Sequence, residues 1–166
     1  MHYLQELDGS VFYVEADTAG EMFPVMFLRR WLPPDYFDEI EYIYLFRSKV
    51  TDAGLAQLQG LTSLQRIYLN NTQVTDPGLA HLQRLKNLRR LDLEYTQVTD
   101  AGLAHLQGLT SLQWLDLGST QVTDPGLAHL QGLTSLQVLH LENTQVTEVR
   151  LAELRKALPK CQIYGP

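Results

Sequence analysis

The chain has 166 residues, a formal net charge of −6 and a single cysteine, Cys161. This length suits one domain or one continuous stack of repeats, and the acidic balance disfavours nucleic acid as a partner because phosphates are also negative. No apolar run reaches the roughly 20 residues that span a membrane, and a single cysteine excludes an intramolecular disulfide framework, which fits a reducing compartment.

Residues 1–39 do not repeat, and we expect them to form an N-terminal cap. The segment YLQELDGSVFYVEA has two apolar-rich runs on either side of Asp8-Gly9, a pattern that favours a β-hairpin. The segments PVMFLRRWL and PPDYFDEI each open with proline and are predicted to be helical. In that arrangement Trp31, Tyr36 and Phe37 cover the first repeat.

Residues 40–159 divide into five units of 24 residues, which begin at Ile40, Leu64, Leu88, Leu112 and Leu136. The shared pattern is L-x-x-L-x-L-x-x-T-x-V-T-D-x-G-L-A-x-L-x-x-L-x-x. Such regular self-similarity is the sequence signature of a stacked solenoid, in which a unit buries its apolar face only against its neighbours.

Two apolar periods alternate within each unit. Leu91 and Leu93 are two residues apart, the spacing of a strand, whereas Leu103, Leu106 and Leu109 follow at the spacing of a helix. Between these runs, each aspartate of the Val-Thr-Asp sequence (Asp52, Asp76, Asp100, Asp124) is expected to cap its own helix, which ends near Gly60, Gly108 or Gly132. Each unit is therefore predicted to be a strand, a turn and a helix of about two turns.

Stacking in register predicts columns of identical side chains. One buried column consists of Val50, Val74, Val98, Val122 and Val146. A buried hydroxyl column consists of Ser48, Thr72, Thr96, Thr120 and Thr144, and we expect the backbone of the neighbouring repeat to supply its hydrogen-bond partners.

The end of the chain departs from the repeat. Residues 148–166, EVRLAELRKALPKCQIYGP, replace the Asp-Pro-Gly start of the helix and are predicted to form a C-terminal capping helix, stopped by Pro159, and a strand fragment. Cys161 and Ile163 are two residues apart in this fragment, and Cys161 is interpreted as a buried apolar residue rather than a reactive thiol.

The repeats resemble the leucine-rich repeat family, through the L-x-x-L-x-L motif and the VTDxGL segment, in the subclass whose buried polar position is threonine or cysteine. The resemblance covers Ile40 to about Pro159. It implies an α/β leucine-rich-repeat solenoid, a curved right-handed stack with its parallel sheet on the concave face, and it implies binding of protein partners there without catalytic residues. Some bacterial relatives with a similar lead-in carry a membrane helix upstream. We expect a cytoplasmic location, with the soluble part of a membrane-anchored protein as the alternative.

The third and fourth units differ mainly on one face. They differ at five positions, and four of these lie within the first eight residues of the unit. Residues that alternate with the buried strand positions point away from the core. This face is rich in Tyr, Trp and Arg, the residue types that dominate interface energetics. The predicted partner-binding residues are Tyr42, Tyr44, Arg66, Tyr68, Asn70, Arg90, Asp92, Glu94, Tyr95, Trp114, Asp116, His140 and Glu142.

The sequence favours a non-catalytic, monomeric module that recognises a protein or peptide, with no cofactor and no metal. A structural spacer of a larger protein is the alternative, and a carbohydrate or cell-envelope binder is a more distant one. The paired carboxylates Asp92 and Asp116 lie on an open sheet rather than in a cleft, which disfavours catalysis. His81, His105 and His129 form a row on successive helices, where their side chains diverge instead of converging on a metal.

Overall fold

The computed structural model describes residues 6–7, 11–12 and 40–166. These residues form one sheet whose eight short strands follow chain order. The strands are β1 (Glu6–Leu7), β2 (Val11–Phe12), β3 (Tyr42–Tyr44), β4 (Arg66–Tyr68), β5 (Arg90–Asp92), β6 (Trp114–Asp116), β7 (Val138–His140) and β8 (Gln162–Tyr164). From β3 onward every strand residue pairs with the residue 24 positions later, in parallel register. This register confirms the predicted α/β solenoid and aligns equivalent side chains into columns.

Strands β1 and β2 pair antiparallel, in the segment whose sequence predicts a hairpin, and Val11 of β2 pairs with Tyr42 of β3. The sheet therefore continues from the repeats into the N-terminal segment. The helices predicted for residues 24–39 lie outside the described residues.

The helical layer is made of short α and 3₁₀ segments. The α-helices are α1 (Asp52–Leu55), α2 (Asp76–Ala80), α3 (Asp100–Leu103) and α4 (Glu148–Ala157), and the 3₁₀ segments are Ala56–Leu58, Ala104–Leu106 and Asp124–Leu130. The predicted two-turn helices are thus partly replaced by the tighter 3₁₀ geometry, which is common in short connecting segments.

The leucines of each repeat meet between the two layers. In the third repeat Leu91 and Leu93 from the strand side, and Leu103, Leu106 and Leu109 from the helical side, are fully buried. The predicted valine column is also buried along its whole length, with at most 4% of any side chain exposed. The apolar pattern therefore produces one continuous core along the stack.

The predicted role of the repeated aspartates is wrong. The N-cap of each helix is the preceding threonine, and the aspartate is the first helical residue. Its carboxylate reaches the next repeat instead. Asp76, for example, accepts hydrogen bonds from Thr99 N at 2.8 Å and from Thr99 Oγ1 at 2.6 Å. Asp52, Asp100 and Asp124 bond in the same way to the threonines 23 residues after them.

This Asp–Thr ladder explains the repeated glycine. A Cβ on Gly102 would lie 2.4 Å from Asp76 Oδ1, and Gly78 and Gly126 face the preceding aspartate in the same way. In the last repeat Arg150 stands at the glycine position, and its Nε donates to the Asp124 carbonyl at 3.3 Å. At Gly78, Gly102 and Gly126 a Cβ would therefore meet the carboxylate of the repeat before, whereas the last repeat accepts Arg150 although Thr147 still bonds to Asp124.

The hydroxyl column is buried from Ser48 to Thr120 as predicted and half-buried at Thr144, but its partners are not in the neighbouring repeat. Thr96 Oγ1 donates to the Leu93 carbonyl at 2.6 Å, three residues back in its own turn. Ser48, Thr72, Thr120 and Thr144 do the same. The short side chain reaches its own turn more directly than it reaches the next backbone, so this column stabilises each turn rather than the stack.

Strands β3 to β7 are each followed by a residue in the left-handed region. Arg47, Asn71, Tyr95, Ser119 and Asn143 all have φ between 54° and 58°. Asparagine tolerates this region better than other non-glycine residues. The chain therefore turns sharply at the same place in every repeat, next to the outer face of the sheet.

Candidate functional site

We use the term outer sheet face for the side of strands β3–β8 that points away from the core. Its first column consists of Tyr42, Arg66, Arg90, Trp114, Val138 and Gln162, and its second of Tyr44, Tyr68, Asp92, Asp116, His140 and Tyr164. The register places the predicted strand residues beside one another in these columns. Tyr164 was missed by the sequence analysis, although it lies 24 residues after His140 and so continues the repeat period into β8.

Six side chains of the outer sheet face form a continuous stack, which we call the π ladder. The rings of Tyr44 and Tyr68 are parallel, with centroids 4.6 Å apart. At the other end the rings of His140 and Tyr164 stack with centroids 4.8 Å apart, and Trp114 lies 5.5 Å from His140. The ladder therefore links the outer side chains of six consecutive strands.

Arg90 joins the two halves of the π ladder. Its guanidinium carbon lies 3.7 Å from the centroid of the Trp114 ring and 5.2 Å from that of Tyr68. Its Nε is buried without a hydrogen-bond partner among the described residues. A second cation–π contact, 4.8 Å long, places Arg66 over Tyr42. Contacts of this kind contribute about 0.5–1 kcal/mol at exposed sites and more where water is excluded, so the ladder holds its side chains in fixed positions.

Two carboxylates interrupt the second column. The pKa of Asp92 is raised to about 6, mainly by burial and to a lesser extent by the neighbouring Asp116 and Glu94 carboxylates, against the opposing effects of the Glu94 N–H and of Arg90. Burial also raises the pKa of Asp116, against the hydrogen bond that Asp116 Oδ1 accepts from Gly118 N at 2.8 Å. These shifts show that the protein does not fully compensate the two charges.

A third column, just after the strands, adds further negative charge; it consists of Phe46, Asn70, Glu94, Gly118 and Glu142. Partial burial, together with the carboxylates of Asp116 and Glu142, raises the pKa of Glu94. Glu142 Oε1 lies 3.1 Å from His140 Nδ1, an ion pair when the imidazole is protonated. The centre of the outer sheet face is therefore acidic, and the cationic groups that act on its carboxylates are Arg90 and, when protonated, His140.

Other predicted site residues lie outside the π ladder. Asn70 is half-buried in the third column, whereas Tyr95 occupies the left-handed position and is 58% exposed. Phe46, in the same column as Asn70, is 47% exposed. The binding role of every predicted residue stays a prediction.

The helical side has a structural reason to repeat its polar residues. The amide of Gln59 contacts His81 Nδ1, and Gln107 contacts His129 Nδ1 in the same way. These contacts join one repeat to the next, which gives a structural reason for the same Gln and His residues to recur along the helical side. Their recurrence therefore does not by itself show that the outer sheet face changed in order to bind a partner. Within the described ranges, no group of three or more His, Cys, Asp or Glu side chains is arranged to hold a metal ion.

Burial raises the pKa of the Cys161 thiol to about 11. The thiol is half-buried against the core and is therefore protonated at neutral pH, which matches its interpretation as a packing residue. None of the helices in the described part of the chain is long and apolar enough to cross a bilayer.

Comparison with known proteins identifies the family. The sequence profile described as leucine rich repeat matches residues 62–122 and 86–146, which together span just over half of the chain. The chain belongs to the leucine-rich repeat family. The assignment to the threonine- or cysteine-containing subclass stays a prediction. No curated protein matches the chain significantly.

Solved bacterial structures share the fold. An internalin C2 from Listeria monocytogenes is 26% identical with a TM-score of 0.62, covering 77% of this chain and 62% of its own. An LRR protein from Leptospira interrogans is 26% identical with a TM-score of 0.53, covering 66% of this chain and 27% of its own. A second internalin (inlF) from Listeria monocytogenes is 19% identical with a TM-score of 0.51, covering 76% of this chain and 47% of its own.

The chain thus spans between about a quarter and three fifths of the length of these structures. Leucine-rich repeat proteins are generally protein-interaction modules without enzymatic activity. The family therefore gives the general class of function and leaves the partner and the binding face to be found.

Proposed function

We propose that this chain is a non-catalytic recognition module that binds a protein or peptide through the outer sheet face. The family supports the general class, and the residue types of the face support its location. Tyr, Trp and Arg are enriched at the energetic centres of interfaces because they bury large areas and also carry polar groups.

The observation that carries the proposal is the π ladder. Its side chains lie on the solvent side of the sheet, where they add no burial to the leucine core, yet ring and guanidinium contacts fix them along six strands. A surface whose long side chains are already ordered loses less conformational entropy when it binds, which favours affinity.

The π ladder also distinguishes a protein partner from a sugar. Sugar binding by aromatic residues relies on open ring faces. The inner rings of the ladder, Tyr68, Trp114 and His140, each have a ladder neighbour on both sides. Ring edges, the Arg90 guanidinium and carboxylates remain for a partner, and these suit polar and charged groups of a polypeptide.

The test compares capture from source-cell lysate by the native chain and by the Arg90→Ala/Trp114→Ala variant. Arg84→Ala/Gln131→Ala is the matched control, because both residues are exposed on the helical side. Far-UV circular dichroism and urea titrations establish that all three chains fold.

We expect a protein that is retained by the native chain and by the control but is lost by the Arg90→Ala/Trp114→Ala variant. Equal retention by all three chains, or retention by none, would contradict binding through the outer sheet face. Either of those results would favour the structural-spacer alternative.

A further inference from the structure

The π ladder changes column at two strands. It runs through the second column at Tyr44 and Tyr68, moves to the first column at Arg90 and Trp114, and returns at His140. Asp92 and Asp116 occupy the second column where the ladder leaves it. We call this pair, with Tyr68 before it and His140 after it, the acidic notch. It spans three strand spacings, roughly 14 Å between the flanking strands.

The positive charge of Arg90 acts on both carboxylates of the acidic notch, and protonated His140 acts on Asp116, but among the described residues neither group pairs with them directly. Each carboxylate uses Oδ1 to accept a backbone N–H two residues later, at 3.2 Å for Asp92 and 2.8 Å for Asp116. Across the described portion of the chain, neither forms an ion pair, and Glu94 beside them forms none. Like charges on adjacent parallel strands repel and destabilise the sheet. A cation supplied by a partner would remove this repulsion.

Arg90 does not fill this role. Its guanidinium is held between the rings of Tyr68 and Trp114, and its Nε has no acceptor within the described ranges. In addition, the single positive charge of Arg90 is smaller than the combined negative charge of the Asp92, Asp116 and Glu94 carboxylates. The face therefore combines stacked rings along one side of the notch with carboxylates that have no direct ion pair in the part of the chain that the structure describes.

The chemistry favours a guanidinium over an ammonium or a metal ion. Asp92 and Asp116 pair on neighbouring strands, whose backbones are about 4.8 Å apart. The planar fork of an arginine can donate to two carboxylates at such a spacing, whereas an ammonium acts as a point charge. A metal ion requires three or more converging ligands, and no such group is present in the parts of the chain described above.

Building on the proposed function, we propose that the partner of the outer sheet face is a basic polypeptide segment, with an arginine side chain bound in the acidic notch by Asp92 and Asp116. The edges of Tyr68 and Trp114 flank the arginine stem. Complementary charge at such a face speeds association and rejects acidic partners.

Selection from a phage-displayed random peptide library tests this proposal. The baits are the native chain, Asp92→Asn/Asp116→Asn, Arg90→Ala/Trp114→Ala and the control Glu148→Gln/Glu153→Gln. The control removes the same number of charges from α4, away from the sheet face. Asparagine at the notch relieves repulsion, so folding of that variant should be retained.

We expect the native chain to enrich peptides that contain arginine. A selected peptide, synthesised and measured by isothermal titration calorimetry, should bind the Asp92→Asn/Asp116→Asn variant at least about tenfold more weakly and the control with less than about a twofold change. Replacing its arginine by citrulline, which keeps the shape and removes the charge, should cause a comparable loss.

Three outcomes would overturn the inference. Peptides without basic residues that are lost only with Arg90→Ala/Trp114→Ala would refute the arginine partner and leave the proposed function standing. Basic peptides weakened equally by the control would show attraction to net charge alone. No enrichment by the native chain over Arg90→Ala/Trp114→Ala would overturn both proposals.

Discussion

Replacing Gly102 by alanine should destabilise the stack, because the added methyl group would collide with an aspartate of the Asp–Thr ladder. The new Cβ would lie 2.4 Å from Asp76 Oδ1 and 3.1 Å from Leu79 Cδ1. The carboxylate cannot simply move aside, since it accepts hydrogen bonds from Thr99 N and Oγ1.

Overpacking of this kind costs about 1–3 kcal/mol. Hydrogen bonds to a charged acceptor contribute about 1.5–3 kcal/mol, which is the most that their distortion can cost. Alanine regains up to about 1 kcal/mol of helix propensity over glycine. The net loss of unfolding free energy should therefore be about 2–4 kcal/mol.

Urea titrations followed by circular dichroism measure this loss, with slopes compared to confirm that the same surface unfolds. Gly132→Ala is the matched control, because a Cβ there has no atom within 4 Å. It should leave the stability unchanged or raise it slightly.

A double-mutant cycle with Asp76→Ala separates the clash from the lost hydrogen bonds. Once the carboxylate is gone, only the 3.1 Å approach to Leu79 Cδ1 remains, so Gly102→Ala should cost much less, which gives a coupling of about 2 kcal/mol. If Gly102→Ala were as stable as Gly132→Ala, or if the two substitutions were additive, the contact between Asp76 and Gly102 could not explain the repeated glycine.

Three further predictions concern single positions. Thr96→Val should lower the unfolding free energy by about 1–2 kcal/mol, because the Leu93 carbonyl loses its hydroxyl donor; Thr96→Ser is the control, and equal urea midpoints for the two variants would refute this role. Tyr95→Asn should raise the unfolding free energy by about 0.5–1 kcal/mol, since the φ of residue 95 is 54° and asparagine tolerates the left-handed region. A lower Tm would contradict the reasoning. The pKa of Asp92 is raised to about 6, mainly by burial. The native state therefore binds the proton of the Asp92 carboxyl more tightly than the unfolded chain does. As a result, the contribution of Asp92 to stability falls as the pH rises towards 6. Asp92→Asn should thus be more stable than the native chain at pH 7.5, by roughly 1 kcal/mol after allowance for partial solvation, and equal to it at pH 4; the same difference in urea titrations at both values would exclude this mechanism.

The repeat period explains why much of the architecture could be predicted. A 24-residue spacing of leucines places Leu91 next to Leu115 on adjacent strands, and it also places Arg90 next to Trp114. The columns of the outer sheet face follow from this register alone. The same 24-residue spacing places Tyr164 next to His140. Tyr164 was not predicted as a site residue because β8 lies in the cap, where the leucine pattern has ended.

The two wrong predictions, the role of the repeated aspartates and the partners of the hydroxyl column, share one physical cause. Both depend on the direction in which a short polar side chain points. The sequence shows that Asp76 precedes a helix, and a cap is the commonest role of aspartate there. Whether its carboxylate turns to its own helix or to the next repeat depends on the position of Thr99, which only the packed stack fixes. The threonine hydroxyls were assigned to the wrong carbonyl for the same reason.

The sequence by itself determined the number of repeats, the buried columns and the identity of the side chains on each face, because these depend on spacing and on the preference of leucine for the core. The tertiary structure alone decided that the aspartates join successive repeats, that Arg90 lies between two rings, and that Asp92 and Asp116 are buried enough to shift their pKa values. These properties depend on distances of a few ångströms between residues about 24 positions apart, and such distances are set only when neighbouring repeats pack against each other.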